Sequence, residues 1–428
     1  MDRMISVIGL GFVGLPLALT FVNSGYQVVG VDVDNRKLKY LSDGRSYLPD
    51  ISDEDVSKAV ATKRFTLHSD YSCIQHSDTV ILCVPTPLTK DHHPDLTYLI
   101  NAAEGIYPYL RKGHLVILES STYPGTTREV LQPLLEKGGL KVGQDLYLAY
   151  SPERIDPGNE QYSLDAIPKV VSGITNHCLN AVSTIYSDVF QVVVPVTTVE
   201  VAEMTKLLEN SYRFVNISFI NELATVCDSL RIDIWEVISA AQTKPYGFSA
   251  FYPGPGIGGH CIPIDPIYLQ WKMRMHGHNS VFIESSHEQN DKMSKYVVES
   301  MRKLLDVQDL AHARILMIGV TYKRDVNDIR ESSAIEILRM LLKEGADVAF
   351  YDPYVPTITV NGLELQSVEL EVELLRKSSC VIIATDHSNL PLEHILTHAP
   401  LIYDTRNVTR GMNSKAKVVR LGAGEINK

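Results

Sequence analysis

The sequence predicts an α/β protein in which two doubly wound, mostly parallel sheets are joined by a long central helix and a helical middle domain. Three observations carry that expectation. Short apolar runs of strand length alternate with helical segments from Met4 to Val194 and again from Arg314 onwards, the pattern of parallel sheets with crossover helices. Between them, Thr198 to Leu230 contains neither proline nor glycine and reads as one helix of about 50 Å. A turn of the form Gly-x-Gly-x-x-Gly, Gly9 to Gly14, follows the first apolar run, where a dinucleotide-binding sheet needs it. The expected domains are residues 1–196, 197–308 and 309–428.

Length and composition agree with this division. A chain of 428 residues, 45% hydrophobic and 21% charged, is an ordinary globular protein too long for one core. No run approaches the roughly 18 apolar residues of a spanning helix, and the chain enters a strand at once without a signal peptide, so a cytoplasmic location is expected. A net charge of -11 argues against nucleic acid or an anionic membrane surface as partner. An anionic small ligand would therefore need a local basic pocket. Six cysteines without a Cys-x-x-Cys pair, and fourteen histidines without ligand spacing, predict neither a disulfide framework nor a metal site.

The first strand, Met4 to Ile8, runs into Gly9-Leu10-Gly11-Phe12-Val13-Gly14, and an apolar helix comes next, from Leu15 to Asn23. Strand, glycine turn and helix in that order turn backbone amides and a helix N-terminus towards a pyrophosphate. The second strand, Gln27 to Val31, ends in Asp32, a carboxylate placed to take ribose hydroxyls. Asp32 would repel a 2'-phosphate, which favours NAD over NADP, although Arg36 lies close by. Strands at Thr79 to Val84, Leu115 to Glu119 and Leu146 to Tyr150 deliver Pro85-Thr86, Ser121-Thr122 and Ser151-Pro152-Glu153-Arg154 to one sheet edge. Ligands of such sheets lie at that carboxyl edge, so Pro85, Thr86, Ser121 and Thr122 are candidate contacts and Glu153 a candidate acid-base group. A last strand is expected at Gln191 to Val194.

The long helix carries Lys206 and Asn210 four residues apart and Arg213 three further, so one face presents an amine, an amide and a guanidinium. A helix of that length reads as a connector between domains that can also pair with its copy in a second subunit. Helices are expected at Ile234 to Gln242, Pro266 to His276 and Ile283 to Leu305. Between the first two, Phe251 to Asp265 holds four glycines and three prolines around Cys261. Such a stretch is neither helix nor regular strand, and its prolines remove much of the entropy an open loop would lose on ordering. A lone cysteine is usually a small buried apolar residue, and Cys73, Cys83, Cys178, Cys227 and Cys380 sit in runs that fit that reading. Cys261 does not, because its turn offers little apolar surface. Asp265-Pro266 reads as N-cap and first residue of the next helix, which places the thiol just ahead of a helix N-terminus that favours a thiolate.

A second α/β unit starts at Arg314, with strands at Ile315 to Ile318, Val348 to Tyr351, Val381 to Ala384 and Leu401 to Tyr403 and a helix from Ser333 to Glu344. It lacks a Gly-x-Gly-x-x-Gly turn. Its first strand instead feeds a loop holding Lys323, Arg324 and Arg330, which suggests a phosphate site.

Six stretches, in this order, resemble the UDP-sugar 6-dehydrogenases over nearly the whole chain. They are the glycine turn with Asp32, Glu-Ser-Ser-Thr at 119–122, Ser-Pro-Glu-Arg at 151–154, Glu-Met-Thr-Lys-Leu-Leu-Glu-Asn at 203–210, Gly-Gly-His-Cys-Ile-Pro-Ile-Asp at 258–265, and Tyr-Lys-Arg-Asp with Arg-Glu-Ser at 322–332. The resemblance implies two Rossmann-like domains, an N-terminal one for NAD and a C-terminal one that helps bind UDP, around a helical centre that dimerises. It implies a four-electron oxidation of a primary alcohol to a carboxylate, in which Cys261 holds the aldehyde as a thiohemiacetal and then a thioester. Lys206 and Asn210 would stabilise the oxyanion, Asp265 would place a water or act as base, and Glu153 and Thr122 would orient the hydrolytic water. NAD would lie against Gly9, Gly11, Phe12, Val13, Gly14, Asp32, Arg36, Pro85, Thr86, Ser121, Thr122, Gly258 and Arg330. The UDP-sugar would touch Glu153, Arg154, Lys206, Asn210, Arg213, Tyr252, Gly256, Gly258, His260, Tyr322 and Lys323. Members acting on UDP-glucose usually carry serine before the cysteine and lysine before the aspartate. His260 and Ile264 stand there instead, as in members acting on UDP-N-acetylglucosamine or UDP-N-acetylmannosamine, so a UDP-N-acetylhexosamine is the expected substrate. A one-step hydroxyacid dehydrogenase shares the NAD domain and a lysine and asparagine four apart, but has no use for Cys261 or the second α/β unit. A nucleotide-sugar sensor without catalysis would not need Cys261, Lys206, Asn210 and Asp265 together.

Overall fold

A computed structural model describes residues 3–48, 50–155 and 163–426. Its contacts gather the chain into two units, Met1–Glu209 with Ile267–Asn279, and Asn210–Pro266 with Ser280–Lys428.

The first unit is built on eight strands, β1 (Met4–Ile8), β2 (Gln27–Val31), β3 (Phe65–His68), β4 (Thr79–Leu82), β5 (Leu115–Leu118), β6 (Tyr147–Tyr150), β7 (Lys169–Gly173) and β8 (Val193–Pro195), in the order β3-β2-β1-β4-β5-β6-β7-β8. The first six run parallel in the 3-2-1-4-5-6 arrangement of dinucleotide-binding sheets. β7 turns antiparallel to β6, and β8 pairs with β7 in parallel. Helices cover both faces, which is why β4 and β5 are unbroken apolar runs in which all eight residues are buried. The register pairs Ile8 with Val31 and Leu82, Leu82 with Leu118, and Leu118 with Tyr150. Gly9, Asp32, Cys83, Glu119 and Ser151 therefore leave the sheet along one edge.

The expected strands are present with shifted ends. Val84 lies outside β4, where Pro85 cannot donate to a ladder, and Glu119 is already loop. The last strand sits at Val193–Pro195 rather than Gln191 to Val194. β3, β7 and the helix Asn176–Ser187 had no counterpart among the elements expected from the sequence.

The second unit holds β9 (Arg314–Ile318), β10 (Asp347–Tyr351), β11 (Thr357–Val360), β12 (Leu363–Gln366), β13 (Cys380–Ile383), β14 (Leu401–Asp404) and β15 (Lys417–Arg420). Five of these form a parallel sheet in the order β10-β9-β13-β14-β15. β11 and β12 make a separate hairpin through Asn361-Gly362, both at positive φ, as a two-residue hairpin turn requires. The helices Ile234–Gln242 and Val281–Leu305 share this unit's core: Ile220, Ala224, Trp235, Met293, Val297 and Met301 pack in one cluster with Ile315, Met317 and Ile337. The C-terminal segment closes that core. Gly422 and Gly424 donate their N–H groups to Asp228 at 3.0 and 2.9 Å, and Trp235 Nε1 donates to Leu421 O at 2.8 Å.

The long helix runs unbroken over Val199–Leu230, its first part in one unit and its second in the other. The helix Asp265–Met275 divides likewise, and residues 267–275 belong to the first unit. There Tyr268 donates its hydroxyl to Thr86 O and Pro87 O at 2.8 and 3.0 Å, and Trp271 lies 4.8 Å from the Tyr123 ring.

Candidate active site

The glycine turn of the first unit is built by contact. Gly9 has φ +87°, and a Cβ on it would lie 2.7 Å from Cys83 O, while one on Gly14 would lie 1.8 Å from Gly9 O. No side chain fits at either position. A Cβ on Gly11, in contrast, would meet no protein atom within 4 Å. Gly9 N donates to Val31 O at 2.8 Å, and Leu10 N to Asp32 Oδ2 at 2.9 Å. Asp32 Oδ1 accepts from Asp34 N at 2.9 Å and Oδ2 also accepts from Lys37 at 3.1 Å. Arg36 is spent on Asp34 at 2.8 Å, and that hydrogen bond holds the Asp34 carboxyl down at about 2. Two carboxylates at this strand end disfavour a 2'-phosphate, in line with an NAD rather than an NADP site. Phe12 and Val13 are half-buried in the same turn.

At the neighbouring strand ends a charged cluster is fully enclosed. Lys169 Nζ lies 2.6 Å from Glu119 Oε2 and 3.1 Å from Glu153 Oε2, and the Tyr186 hydroxyl donates to Glu119 Oε1. Burial pushes the Glu119 carboxyl up to about 7. Burial works against the Lys169 ammonium too, but Glu119 and Glu153 outweigh it and carry that group above its ordinary range. Glu153 Oε1 accepts the N–H groups of Arg154 and Ile155, both at 2.6 Å, and Lys206 Nζ donates to Glu153 O at 2.5 Å. Lys206 is 7% exposed. Among the described residues Thr122 Oγ1 and Ser151 Oγ, both buried, have no hydrogen-bond partner. Glu203 fixes the loop beyond Thr122 by accepting from Gly125 N, Thr127 N and Thr127 Oγ1 at 2.6, 2.8 and 2.6 Å.

In the second unit the glycine-rich loop is pinned residue by residue. Gly254 N donates to Asn221 Oδ1 at 2.9 Å, Ile257 N to Asn290 Oδ1 at 2.7 Å, and Gly259 N to Arg330 O at 3.0 Å. Its glycines are needed for closeness: a Cβ on Gly256 would lie 2.3 Å from Ser333 Oγ, and one on Gly258 2.4 Å from Glu331 O. The loop delivers Cys261 exposed, whereas Cys83, Cys178, Cys227 and Cys380 are buried and Cys73 is half-buried. Cys261 O accepts the N–H groups of Ile264 and Asp265 at 3.2 and 2.9 Å. Asn210 Nδ2 then donates to Asp265 Oδ2 at 2.5 Å, with both residues buried. The helix begins at Asp265 itself, so this carboxylate is the partner of Asn210 and not the expected N-cap. Arg330 pairs with Asp328 at 2.6 Å and interacts electrostatically with Cys261. Burial, with Arg330 as the second cause, holds the His260 imidazole below its ordinary pKa. The Tyr322 ring lies against Gly259, and Lys323 Nζ lies 5.8 Å from that ring's centroid.

Other expected contacts have partners of their own. Arg154 pairs with Glu209 at 2.6 Å and donates to Pro168 O at 2.8 Å. The Thr86 hydroxyl straps two strand ends together by donating to Ser121 O at 2.7 Å. Tyr252 and Arg213 are exposed, and Tyr252 stacks on Trp235 with an interplanar angle of 13°. Pro85 and Ser121 lie at the carboxyl edge of the first sheet, as expected. Sequence reasoning passed over Lys169, whose partners are 16 and 50 residues away, and Arg406. The Arg406 guanidinium donates to Ala384 O at 2.9 Å, and a Cβ on Gly254 would lie 2.6 Å from its Nη1. Among the described residues no group of three or more His, Cys, Asp or Glu side chains could hold a metal, and no helix is long and apolar enough to cross a membrane.

A Rossmann unit with an NAD-type carboxylate, then a second doubly wound unit and an exposed thiol in a rigid loop, together define a class of nucleotide-sugar oxidoreductases. Three sequence profiles agree: the NAD binding, central and UDP binding domains of the UDP-glucose/GDP-mannose dehydrogenase family match residues 3–190, 200–292 and 316–411. The chain belongs to that family, and its relatives include UDP-sugar dehydrogenases. It is 32% identical over 419 residues to a UDP-N-acetyl-D-mannosamine dehydrogenase of Methanococcus maripaludis, covering 95% of this chain and 93% of that one. It is 36% identical over 359 residues to a UDP-N-acetyl-D-glucosamine 6-dehydrogenase of Pseudomonas aeruginosa, covering 83% of each. The solved UDP-D-ManNAc dehydrogenase of Pyrococcus horikoshii superposes with a TM-score of 0.88 at 29% identity, over 99% of this chain and all of that one.

Proposed function

We propose that this UDP-sugar dehydrogenase oxidises carbon 6 of a UDP-N-acetylhexosamine, UDP-N-acetylglucosamine by preference, to the uronic acid with two NAD. The observation that carries the reading is one short path: Asn210 to Asp265 at 2.5 Å, and Asp265 N to Cys261 O at 2.9 Å. The side-chain bond joins an amide to a carboxylate, the backbone turn sets the exposed thiol four residues before that carboxylate, and Lys206 stands one turn before Asn210 on the same helix.

In this reading NAD, held by Gly9, Gly11 and Gly14 with Asp32, would supply the hydride acceptor for each of the two oxidations, and the alcohol's hydroxyl loses its proton to this chain's own groups. The aldehyde accepts the Cys261 thiolate as a thiohemiacetal, and the second oxidation, for which NAD would again supply the acceptor, leaves a thioester on that sulfur. Water cleaves the resulting thioester and returns the thiolate. Lys206 and Asn210 donate to the oxyanion, a kind of preorganised contact whose loss commonly costs roughly 3 to 4 kcal/mol. Asp265 orients the amide and accepts the hydroxyl proton, and Glu153 with Thr122 serves the hydrolytic water. Gly9, Gly11 and Gly14 with Asp32 hold NAD, and Lys323 with the loop amides holds the UDP-sugar. His260 and Ile264, where UDP-glucose enzymes usually carry serine and lysine, and the relatives named for N-acetylhexosamines support the acetamido sugar.

The chain works as a homodimer in a reducing compartment, the cytoplasm. Among the described residues no disulfide joins any of the six cysteines. On the long helix Tyr212, Phe219, Val226 and Leu230 are 51, 56, 42 and 62% exposed, an apolar stripe at heptad spacing that a second copy would cover. The test is a panel of UDP-glucose, UDP-N-acetylglucosamine, UDP-N-acetylmannosamine and UDP-N-acetylgalactosamine, each assayed by NADH absorbance. The highest kcat/KM is expected with UDP-N-acetylglucosamine, and activity on UDP-glucose alone would overturn the substrate assignment.

A further inference from the structure

We infer that Lys169 and Glu119 are positioning residues for hydrolysis, a buried pair that decides whether Glu153 Oε2 is tied up or released to take a proton. This rests on the reading of Glu153 as the group that serves the hydrolytic water. The two Glu153 oxygens are not alike. Oε1 is saturated by the N–H groups of Arg154 and Ile155, both at 2.6 Å. Oε2 has Lys169 Nζ at 3.1 Å and capacity left, so it is the oxygen that can accept a proton from water. Lys169 is its gate, because the same ammonium also sits 2.6 Å from Glu119 Oε2.

A lysine 3% exposed beside two carboxylates 0 and 6% exposed is not a surface ion pair, and at this depth each proton gained or lost is felt by the other two groups. The groups facing Glu119 come from four places: Lys169 on β7, Tyr186 on the helix Asn176–Ser187, Glu153 on the loop after β6 and the Cys83 thiol just beyond β4. Tyr186 donates to Glu119 Oε1, and the Tyr186 and Phe190 rings flank the ammonium at 5.6 and 5.4 Å. The Glu119 carboxyl, lifted by burial to about 7, changes form in the working range. With Glu119 protonated, Lys169 has one anionic partner and ties up Oε2. With Glu119 ionised, the ammonium is shared and Oε2 is released. Water then adds its oxygen to the thioester carbon, one of its protons passes to Glu153, the C–S bond breaks, and the sulfur leaves as thiolate. Acid release should rise with pH through about 7.

The test uses Glu119→Gln, which keeps the shape and the Lys169 contact but stays neutral. In rapid mixing it should release two NADH per site in a burst of parent amplitude, then turn over slowly with the sugar attached to the protein as a mass increment. Post-burst turnover at pH 8 should fall to the parent's value at pH 6, a loss of ~10-fold or more, with no remaining rise between those pH values. Lys169→Arg should keep the burst and restore a pH-dependent limb. A Glu119→Gln profile that superimposes on the parent overturns the inference, as does a loss by one factor at every pH that tracks a lowered melting temperature. A parent that releases a single NADH overturns the underlying reading; two NADH with an unchanged Glu119→Gln profile overturns this inference alone.

Discussion

The two sheets open with the same turn and end in different chemistry. In the first, Gly9 at φ +87° donates to Val31 O, and the next N–H reaches Asp32 at the end of the neighbouring strand, at 2.8 and 2.9 Å. In the second, Gly319 at φ +82° donates to Tyr351 O, and Val320 N reaches Asp352, at 2.8 and 2.7 Å. Each aspartate also takes the N–H two residues on, Asp34 N and Tyr354 N, both at 2.9 Å. The hydrogen-bonded chassis is thus shared. Beyond the turn the two units diverge: in the first a helix begins at Gly14, and in the second at Ser333 after a loop carrying Lys323 and Arg330. Asp352 is sealed, with His387 Nε2 3.2 Å away and both side chains fully buried. In both sheets the carboxylate after the second strand clamps the turn, and we propose that Asp32, 6% exposed where Asp352 is sealed, takes the ribose as well.

The largest expected effect separates the turns by sterics. Gly14→Ala places a methyl 1.8 Å from Gly9 O, so it should cost ~3 kcal/mol or more in urea unfolding of the first unit and abolish NAD binding. Full retention of both would mean that the helix start is not what the turn depends on. A smaller and more discriminating effect comes from the two aspartates. Asp32→Asn should raise the KM for NAD about 10-fold with little loss of stability, whereas Asp352→Asn should cost about 1–3 kcal/mol of stability and leave that KM unchanged. Equal effects on NAD would erase the distinction drawn between the two sheets.

Much of this was legible in the residues. The parallel strands announced themselves as apolar runs because both of their faces are buried, and the glycine turn because only glycine fits between Gly9, Gly14 and Cys83. β7 was missed since it opens with Lys169, and a buried lysine is comprehensible only once Glu119 and Glu153, distant in sequence, are brought to it. Arg154 enters the expected UDP-sugar contacts through the resemblance, and its ion pair with Glu209, 55 residues on, is not visible in the sequence. Asp265 was read as a helix cap on local grounds, whereas Asn210, 55 residues earlier, holds it. Local chemistry could be read along the chain; pairing across the fold could not.

The account stands on one thiol serving two successive oxidations. The most direct measurement is the end-point count of NADH formed per UDP-N-acetylglucosamine consumed, with excess NAD. Two NADH per sugar and a uronic acid as sole product is the expected result. One NADH per sugar, with an aldehyde released to solution, would contradict it.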